Sequence, residues 1–517
     1  MPSKSPYRTA AIALLTTLFL INCYRAATQS VVHDEAYSWQ EYLSGPVSII
    51  FQYYDANNHF LATLLSRLST ALFGVSAFSM RLPTLLAGAW YFCSVFLLCV
   101  LLFEDGILLV VAVGLLALNP ILLDFLVAAR GYGLAMAGLF WALLQMITYL
   151  REVSAGSLNP ERTRLWKAAA GLAVAFAANL TMLIPAAILA VLFVAVLRQM
   201  RYRPASSPPP LVASASKKKR RKTPNPPETA MGDTREPLHF IVPLLLFGFA
   251  YFLAAPIETA SMQNFYAGTD SLAASARNLA EASFAYSDGA ASLVTSSVHS
   301  VWLWCVISLL AAAVVAGVLT ALHLIRANHL RAATGAEIAV VLTPPTVVSS
   351  VLLLVLAHLI KELPYPVDRT GLYFVPLSLL CLAMLLKLSR DRLPAPAWWA
   401  GLAVCGIVIF VFVLQISLKS FYVWRYDADT EHIFSLIEKR RSANGAVRLG
   451  VSWQLEPALN FYRVTRGASW LAPIERDGFE GDRQLYVFIP ADAGQLERLG
   501  VKELYRGAIS GTVLAAP

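Results

Sequence analysis

The chain has 517 residues, of which 57% are hydrophobic and only 14% charged, with a formal net charge of +9 and a mean hydropathy of +0.60. Soluble domains carry about 25% charged residues, so a water-soluble enzyme and a disordered chain are both excluded for most of this sequence. Its six cysteines (Cys23, Cys93, Cys99, Cys305, Cys381 and Cys405) lie in or beside apolar runs with no CxxC spacing. They read as small buried packing residues rather than a disulfide framework or a zinc site.

The first apolar run, 9–27, follows a short basic start at Lys4 and Arg8. Many further runs follow and no convincing cleavage site is seen, so it reads as an uncleaved first span with a cytoplasmic N-terminus. The loop 28–81 then opens with His33-Asp34-Glu35-Ala36-Tyr37-Ser38-Trp39. A carboxylate pair at the water–lipid boundary can take a proton from an acceptor hydroxyl or amine, because partial desolvation raises its basicity. The same pair equally suits a structural role, with Asp34 capping the following helix and Glu35 in its first turn. Two interfacial helices are expected in the rest of the loop, at 39–54 and 59–74; the second is too short for a span and contains Arg67.

Apolar runs at 82–103, 107–123 and 131–150 come next, and the loop between the last two carries Asp124, Arg130 and Tyr132. The run 166–198 is flanked by basic residues on both sides: Arg151, Arg162, Arg164 and Lys167 before it, Arg198, Arg201, Arg203 and the block 217–222 after it. Basic loops stay in the cytoplasm, so this run is expected to cross twice, turning near Asn179-Leu180-Thr181. Segment 204–237, rich in Pro, Ser, Ala and Lys/Arg, reads as a disordered cytoplasmic linker. Its KKKRRK run suits a topology signal touching anionic lipid better than a nucleic-acid patch.

Five further runs, 238–256, 299–324, 338–360, 371–388 and 397–418, bring the expected spans to eleven and place the C-terminus outside. The loop 358–371 offers Lys361 and Arg369 in a Pro-rich turn. These cations suit a phosphate, or ordinary interfacial anchoring with Asp368 and Arg369 paired. The tail 425–517 gains charge, with strand-like runs at 447–451 and 485–489 and an amphipathic helix around 430–440. The expected fold is therefore an all-α polytopic membrane domain over 1–424 and a small extracytoplasmic α/β domain over 425–517 with no nucleotide-binding glycine motif.

Three elements recur in a familiar order: Asp34-Glu35-Ala36-Tyr37 directly after the first span, Asn57-Asn58-His59-Phe60-Leu61, and Gly74 through Ala77, Arg81, Leu82 and Pro83. Together they resemble the membrane glycosyltransferases of the C class (GT-C), in the protein O-mannosyltransferase and aminoarabinose-transferase-like branch. The resemblance covers mainly residues 1–150. It implies inverting sugar transfer from a polyprenyl-phosphate donor to a lipid, glycan or protein acceptor on the outer face of the cytoplasmic membrane, with no nucleic acid involved. Asp34 matches the acidic catalytic position, with Glu35 beside it. Asp124 is the nearest substitute for a second carboxylate, because Ala128 and Ala129 stand where the family places the acid before Arg130. Tyr37, His59, Arg130, Tyr132, Lys361 and Arg369 are the candidates for binding substrate or phosphate. No cofactor is expected; a divalent cation would fall to His33 and His59 with Asp34. The alternative from another class is a transporter or flippase of a lipid-linked envelope precursor. Transporters place ionisable elements near the midplane, whereas these candidates cluster at span ends. A structural subunit with a degenerate site is a third reading.

Overall fold

A computed structural model of the chain describes residues 5–157, 160–201, 235–259, 267–285, 296–440, 447–476 and 478–517. The expected linker lies outside the described residues apart from 235–237. In chain order the helices are α1 (Pro6–Thr28), α2 (His33–Ser38), α3 (Phe60–Phe73), α4 (Ala77–Phe103), α5 (Ile107–Ala117), α6 (Pro120–Phe125), α7 (Gly131–Ser154), α8 (Thr163–Ala178) and α9 (Leu183–Arg201). They continue as α10 (Leu238–Ala254), α11 (Leu272–Phe284), α12 (Ser296–Arg326), α13 (Gly335–Lys361), α14 (Phe374–Leu388), α15 (Ala395–Leu414), α16 (Thr430–Lys439), α17 (Glu456–Thr465) and α18 (Gln495–Leu499).

Eight segments, built on α1, α4, α7, α9, α12, α13, α14 and α15, are long and apolar enough to cross a bilayer, which makes this a multi-pass membrane protein. The other three expected spans are the shorter helices α5, α8 and α10, of 11, 16 and 17 residues. At 1.5 Å per residue α5 reaches about 17 Å, well short of a hydrocarbon core of about 30 Å. The run 107–123 is broken because Asn119 accepts the Leu122 N–H and Pro120 starts a new helix, α6. Run 166–198 does fold as two helices. Asn179 closes α8, its side chain accepting the Thr181 N–H at 3.0 Å, and α9 starts at Leu183.

The first loop departs from expectation in its aromatic half. Instead of one helix over 39–54, α2 runs into a π-helical turn (Trp39–Leu43) and a 3-10 turn follows at Val47–Phe51. Gly45-Pro46 separates the two, because proline restricts the residue before it and donates no hydrogen bond. The apolar half forms α3, ended by Gly74 at φ 79°. Arg67 pins the two halves together by donating to the carbonyls of Tyr42 (2.7 Å) and Gly45 (2.5 Å). Asp34 does not cap α2: Val32 holds that position and Glu35 accepts its N–H at 3.2 Å.

The C-terminal sheet has the order β1-β2-β4-β3, with β1 (Leu449–Val451), β2 (Leu485–Phe488), β3 (Lys502–Arg506) and β4 (Val513–Ala516). β1 pairs parallel to β2 and the other pairings are antiparallel. β3 and β4 were not expected: β3 is a charged, mostly exposed edge, which carries no alternating apolar signal. This unit is not independent of the membrane helices. Ile433, Phe434, Leu459, Val487 and Leu514 share one core with Val31, Ala36, Trp39 and Met80, so the tail is packed directly onto α2. Among the cysteines, Cys99, Cys381 and Cys405 are buried and Cys23 is half-buried. Cys93 and Cys305 are exposed on the bundle's outer faces and do not pack internally.

Small residues allow α7 and α8 to cross closely. A Cβ on Gly138 of α7 would sit 2.5 Å from the carbonyl oxygen of Gly171 on α8, and one on Gly171 would sit 2.8 Å from that of Gly138. Such small-residue contacts let membrane helices approach closely. Gly138→Val is expected to cost about 1–3 kcal/mol through overpacking, seen as a lowered thermal midpoint in detergent.

Candidate functional site

Six helix ends converge on one end of the bundle: the ends of α1, α8 and α13 and the starts of α4, α7 and α14. Two ion pairs bind this junction. Arg81, at the start of α4, grips Glu35 of α2 through both carboxylate oxygens (2.8 and 2.6 Å), with both side chains fully buried. Its remaining donors go to the carbonyls of Ala26 (3.2 Å), Gln29 (2.8 Å) and Ser30 (2.8 Å). Glu35 also accepts the Ala129 N–H at 2.7 Å. Arg25 of α1 pairs with Asp124 of α6, which in turn accepts the Tyr422 N–H at 2.7 Å. The ring of Phe421 lies 5.2 Å from the guanidinium carbon of Arg25 and 5.2 Å from that of Arg81. The carboxylate oxygens of Glu35 and Asp124 are thus engaged in these pairs and with backbone N–H groups.

Asp34 is placed differently. It is 7% exposed, and its Oδ2 lies 3.6 Å from Arg130 Nη2 and 3.4 Å from Arg369 Nη2. Arg130 immediately precedes α7, where Gly131 allows close approach: a Cβ there would meet the Ala178 carbonyl oxygen at 1.8 Å. Its guanidinium is fixed by Ser38 Oγ (2.8 Å), Asn57 Oδ1 (3.0 Å) and the carbonyls of Asp34 (3.3 Å) and Asn57 (3.2 Å). Arg369 sits in a 3-10 turn, Asp368–Gly371, and stacks 5.6 Å over Trp424. Burial pushes the Asp34 carboxyl up, but Arg130 and Arg369, helped by His33 and a hydrogen bond from Trp424, outweigh it and hold the pKa below the ordinary 3.8. Nearby Asp427 behaves oppositely. Full burial, assisted by the Asp34 and Glu35 charges, drives it well above its ordinary value despite hydrogen bonds from the His33 N–H and Thr430. These surroundings favour the charged form of Asp34 and the protonated form of Asp427.

Arg130 and Arg369 form part of the wall of a cavity of about 330 Å³, lined also by Asn57, Asn58, His59, Tyr132, Asn179 and Tyr373. Asp34 does not line it and lies behind the two arginines. Leu354 and Pro366 also border a second, almost wholly apolar groove of about 320 Å³ between α11, α12, α13 and α14. His59 packs edge-on to Tyr132 with ring centroids 5.0 Å apart. Burial, then Arg130 and Arg369, push its pKa well down, so the imidazole is neutral.

Four of the nine expected residues therefore meet at the cavity: His59, Arg130, Tyr132 and Arg369, with Asp34 directly behind. Tyr37 does not, because its hydroxyl donates to Asp55 at 3.1 Å under Arg476. Lys361 is exposed at the end of α13 and does not line the cavity. Arg369 is ion-paired with Asp34 rather than with Asp368. Among the described residues no three His, Cys, Asp or Glu side chains group as a metal site, and His33 Nδ1 lies 2.6 Å from the Gln454 carbonyl. Sequence reasoning gave no site role to Arg25, Arg81, Asn57, Asn179 or Trp424, although Asn57 and Arg81 stand in the family-like elements and Asn179 at the expected turn. The available signal for the first two was an arginine at a span end, which requires a buried carboxylate partner.

No protein-family model and no curated protein sequence matches the chain. Two crystal structures of ArnT from Cupriavidus metallidurans are similar to it. The apo state shows 11% identity over 98% of both chains, with a TM-score of 0.49. The form bound to undecaprenyl phosphate shows 12% identity over 98% of this chain and 97% of that one, with a TM-score of 0.42.

Glu35→Gln leaves the Arg81 charge buried and unbalanced, at a cost of about 3–5 kcal/mol, and the thermal midpoint in detergent reads it. The Asp34 contribution has a defined pH sign. Its native pKa lies below its unfolded one, so its stabilisation is present above pH 3.8 and is lost as pH falls through the depressed value. The midpoint gap between the native chain and Asp34→Asn is expected to stay constant from about pH 8 to pH 5 and to shrink only in stronger acid. A gap that closes between pH 7 and 5 would refute the ion-paired state.

Proposed function

We propose that the chain is an integral membrane glycosyltransferase that moves a sugar from a polyprenyl-phosphate donor to an acceptor at the outer face of the cytoplasmic membrane. The carrying observation is that two arginines sharing one carboxylate form part of the wall of a cavity that adjoins an apolar groove. Guanidiniums bind phosphate oxygens through paired, charge-assisted hydrogen bonds, and an apolar groove between spans suits an isoprenoid chain. The resemblance of the first 150 residues to GT-C enzymes agrees with this reading. So does sidedness: Arg151, Arg164 and Arg201 belong to the opposite end of the bundle, where Arg164 pairs with Glu152 and Arg201 with Glu236, and basic loops face the cytoplasm.

In the proposed step the acceptor oxygen attacks the anomeric carbon, the bond from that carbon to the phosphate oxygen breaks, and the acceptor proton passes to Asp34. The electron pair leaves on the polyprenyl phosphate, whose charge Arg130 and Arg369 stabilise. A single displacement of this kind inverts the anomeric centre. A carboxylate held below its ordinary pKa is a weak base. Donor phosphate claims the same two guanidiniums, which weakens their hold on Asp34 and raises its basicity when the donor is in place.

Transfer of labelled sugar from polyprenyl-phosphate donors in membranes is expected to fall about 10²- to 10⁴-fold in Asp34→Asn at equal expression. Equal activity in both overturns the base assignment. No turnover with any lipid donor favours a transporter of a lipid-linked precursor. The orientation has its own check: protease added outside sealed cells is expected to leave the 204–237 linker intact.

A further inference from the structure

Besides Arg130 Nε, three polar atoms of cavity-lining residues have no hydrogen-bond partner among the described residues: Asn58 Oδ1, His59 Nε2 and Asn179 Nδ2. The amide orientations follow from their other contacts. Asn179 Oδ1 accepts from the Thr181 N–H and hydroxyl (3.0 and 2.8 Å), which leaves its NH2 as a donor for the cavity. Asn58 Nδ2 donates to the Ile50 carbonyl at 3.1 Å, which leaves its oxygen as an acceptor. His59 and Asn179 are 7% and 3% exposed. A buried polar group without a partner is costly, so this set is suited to be completed by a ligand.

The charges narrow that ligand. Arg130 and Arg369 supply two positive charges and Asp34 one negative charge, and a polyprenyl-phosphate sugar, as a phosphodiester, adds one more. The site is then neutral before the sugar's own substituents are counted. No Asp or Glu is among the described residues lining the cavity, so an ammonium on the sugar has no counter-ion there. It also has no lone pair for the Asn179 NH2, just as a carboxylate has no proton for Asn58 Oδ1. A hydroxyl serves both.

We infer that the donor sugar is uncharged, a hydroxyl-bearing hexose or pentose, and that Asn58, His59 and Asn179 select it. This rests on the lipid-phosphate donor proposed above and specifies its sugar class. Neutral His59 adds to the selection, since it can donate or accept according to tautomer, whereas an imidazolium beside two arginines would only donate.

The test is binding of short-chain polyprenyl-phosphate sugars to the purified full chain in lipid nanodiscs. Three probes are compared: a neutral sugar, the same sugar with one hydroxyl replaced by an amine, and the bare polyprenyl phosphate. The neutral sugar is expected to bind at least about tenfold more tightly than the ammonium form, with the gap narrowing as pH rises through the amine's own pKa. Asn179→Ala and His59→Ala are each expected to weaken the neutral-sugar probe by up to about tenfold and to leave the bare phosphate unchanged. Asn179→Asp keeps the acceptor for Thr181 and places a carboxylate at the cavity, so it is expected to shift preference toward the ammonium probe. Equal or tighter binding of the ammonium probe by the native chain overturns the sugar assignment and leaves the glycosyltransferase reading standing. Equal loss of sugar and bare phosphate in both alanine variants shows a structural role and overturns the selection. If none of the three probes binds, the lipid-phosphate reading itself fails and the sugar assignment falls with it.

Discussion

One carboxylate between two arginines organises the cavity end of this protein. Asp34, Arg130 and Arg369 come from three separate parts of the chain, and none could stay charged alone in so enclosed a place. Their mutual compensation allows two guanidiniums to form a cavity wall in a membrane protein, where an unpaired arginine is costly. The same compensation leaves the site one positive charge in excess, which is the charge of one phosphodiester with its sign reversed. Binding and architecture therefore draw on the same electrostatic arrangement.

Around this centre the other buried charges carry structure. The pairs Arg81–Glu35 and Arg25–Asp124 tie α1, α2, α4 and α6 together, and Phe421 inserts its ring against both guanidiniums. Through Phe421, Tyr422 and Trp424 the chain leaving the last span is fastened to the same cluster that orders the first loop. The C-terminal sheet then packs onto α2 through Ala36 and Trp39. The position of Asp34 thus depends on groups nearly 400 residues away in sequence. Adjacent carboxylates end in different roles because α2 turns Glu35 toward Arg81 and Asp34 toward Arg130 and Arg369.

Much of this was legible in the sequence, and the rest was hidden for physical reasons. Apolar run length and basic flanks located the helices, including the two that meet at Asn179, because hydropathy and charge bias act locally. Helix breaks were less visible: Asn119-Pro120 and Gly45-Pro46 divide segments that composition alone joins. The motif around Asp34 could not separate the surroundings of Asp34 from those of Glu35, since the difference lies in arginines that are distant in sequence. Arg369 was recognised as a candidate cation, but the only partner the sequence offered for it was neighbouring Asp368, as one of two alternatives, whereas the fold pairs it with Asp34. Lys361 had the right charge but sits at an exposed helix end. The cavity's amides were invisible, because which oxygen or nitrogen of Asn58 and Asn179 is left over depends on local turns.

The central claim, that Arg130 and Arg369 with Asp34 behind them form a lipid-phosphate site, is tested most directly by an experimental structure of the full chain with a polyprenyl phosphate bound in lipid. The account predicts phosphate oxygens within hydrogen-bond distance of both guanidiniums and isoprenoid density entering the groove past Leu354 and Pro366. Phosphate density at Lys361, or anywhere that leaves the Asp34–Arg130–Arg369 cluster undisturbed, would contradict it.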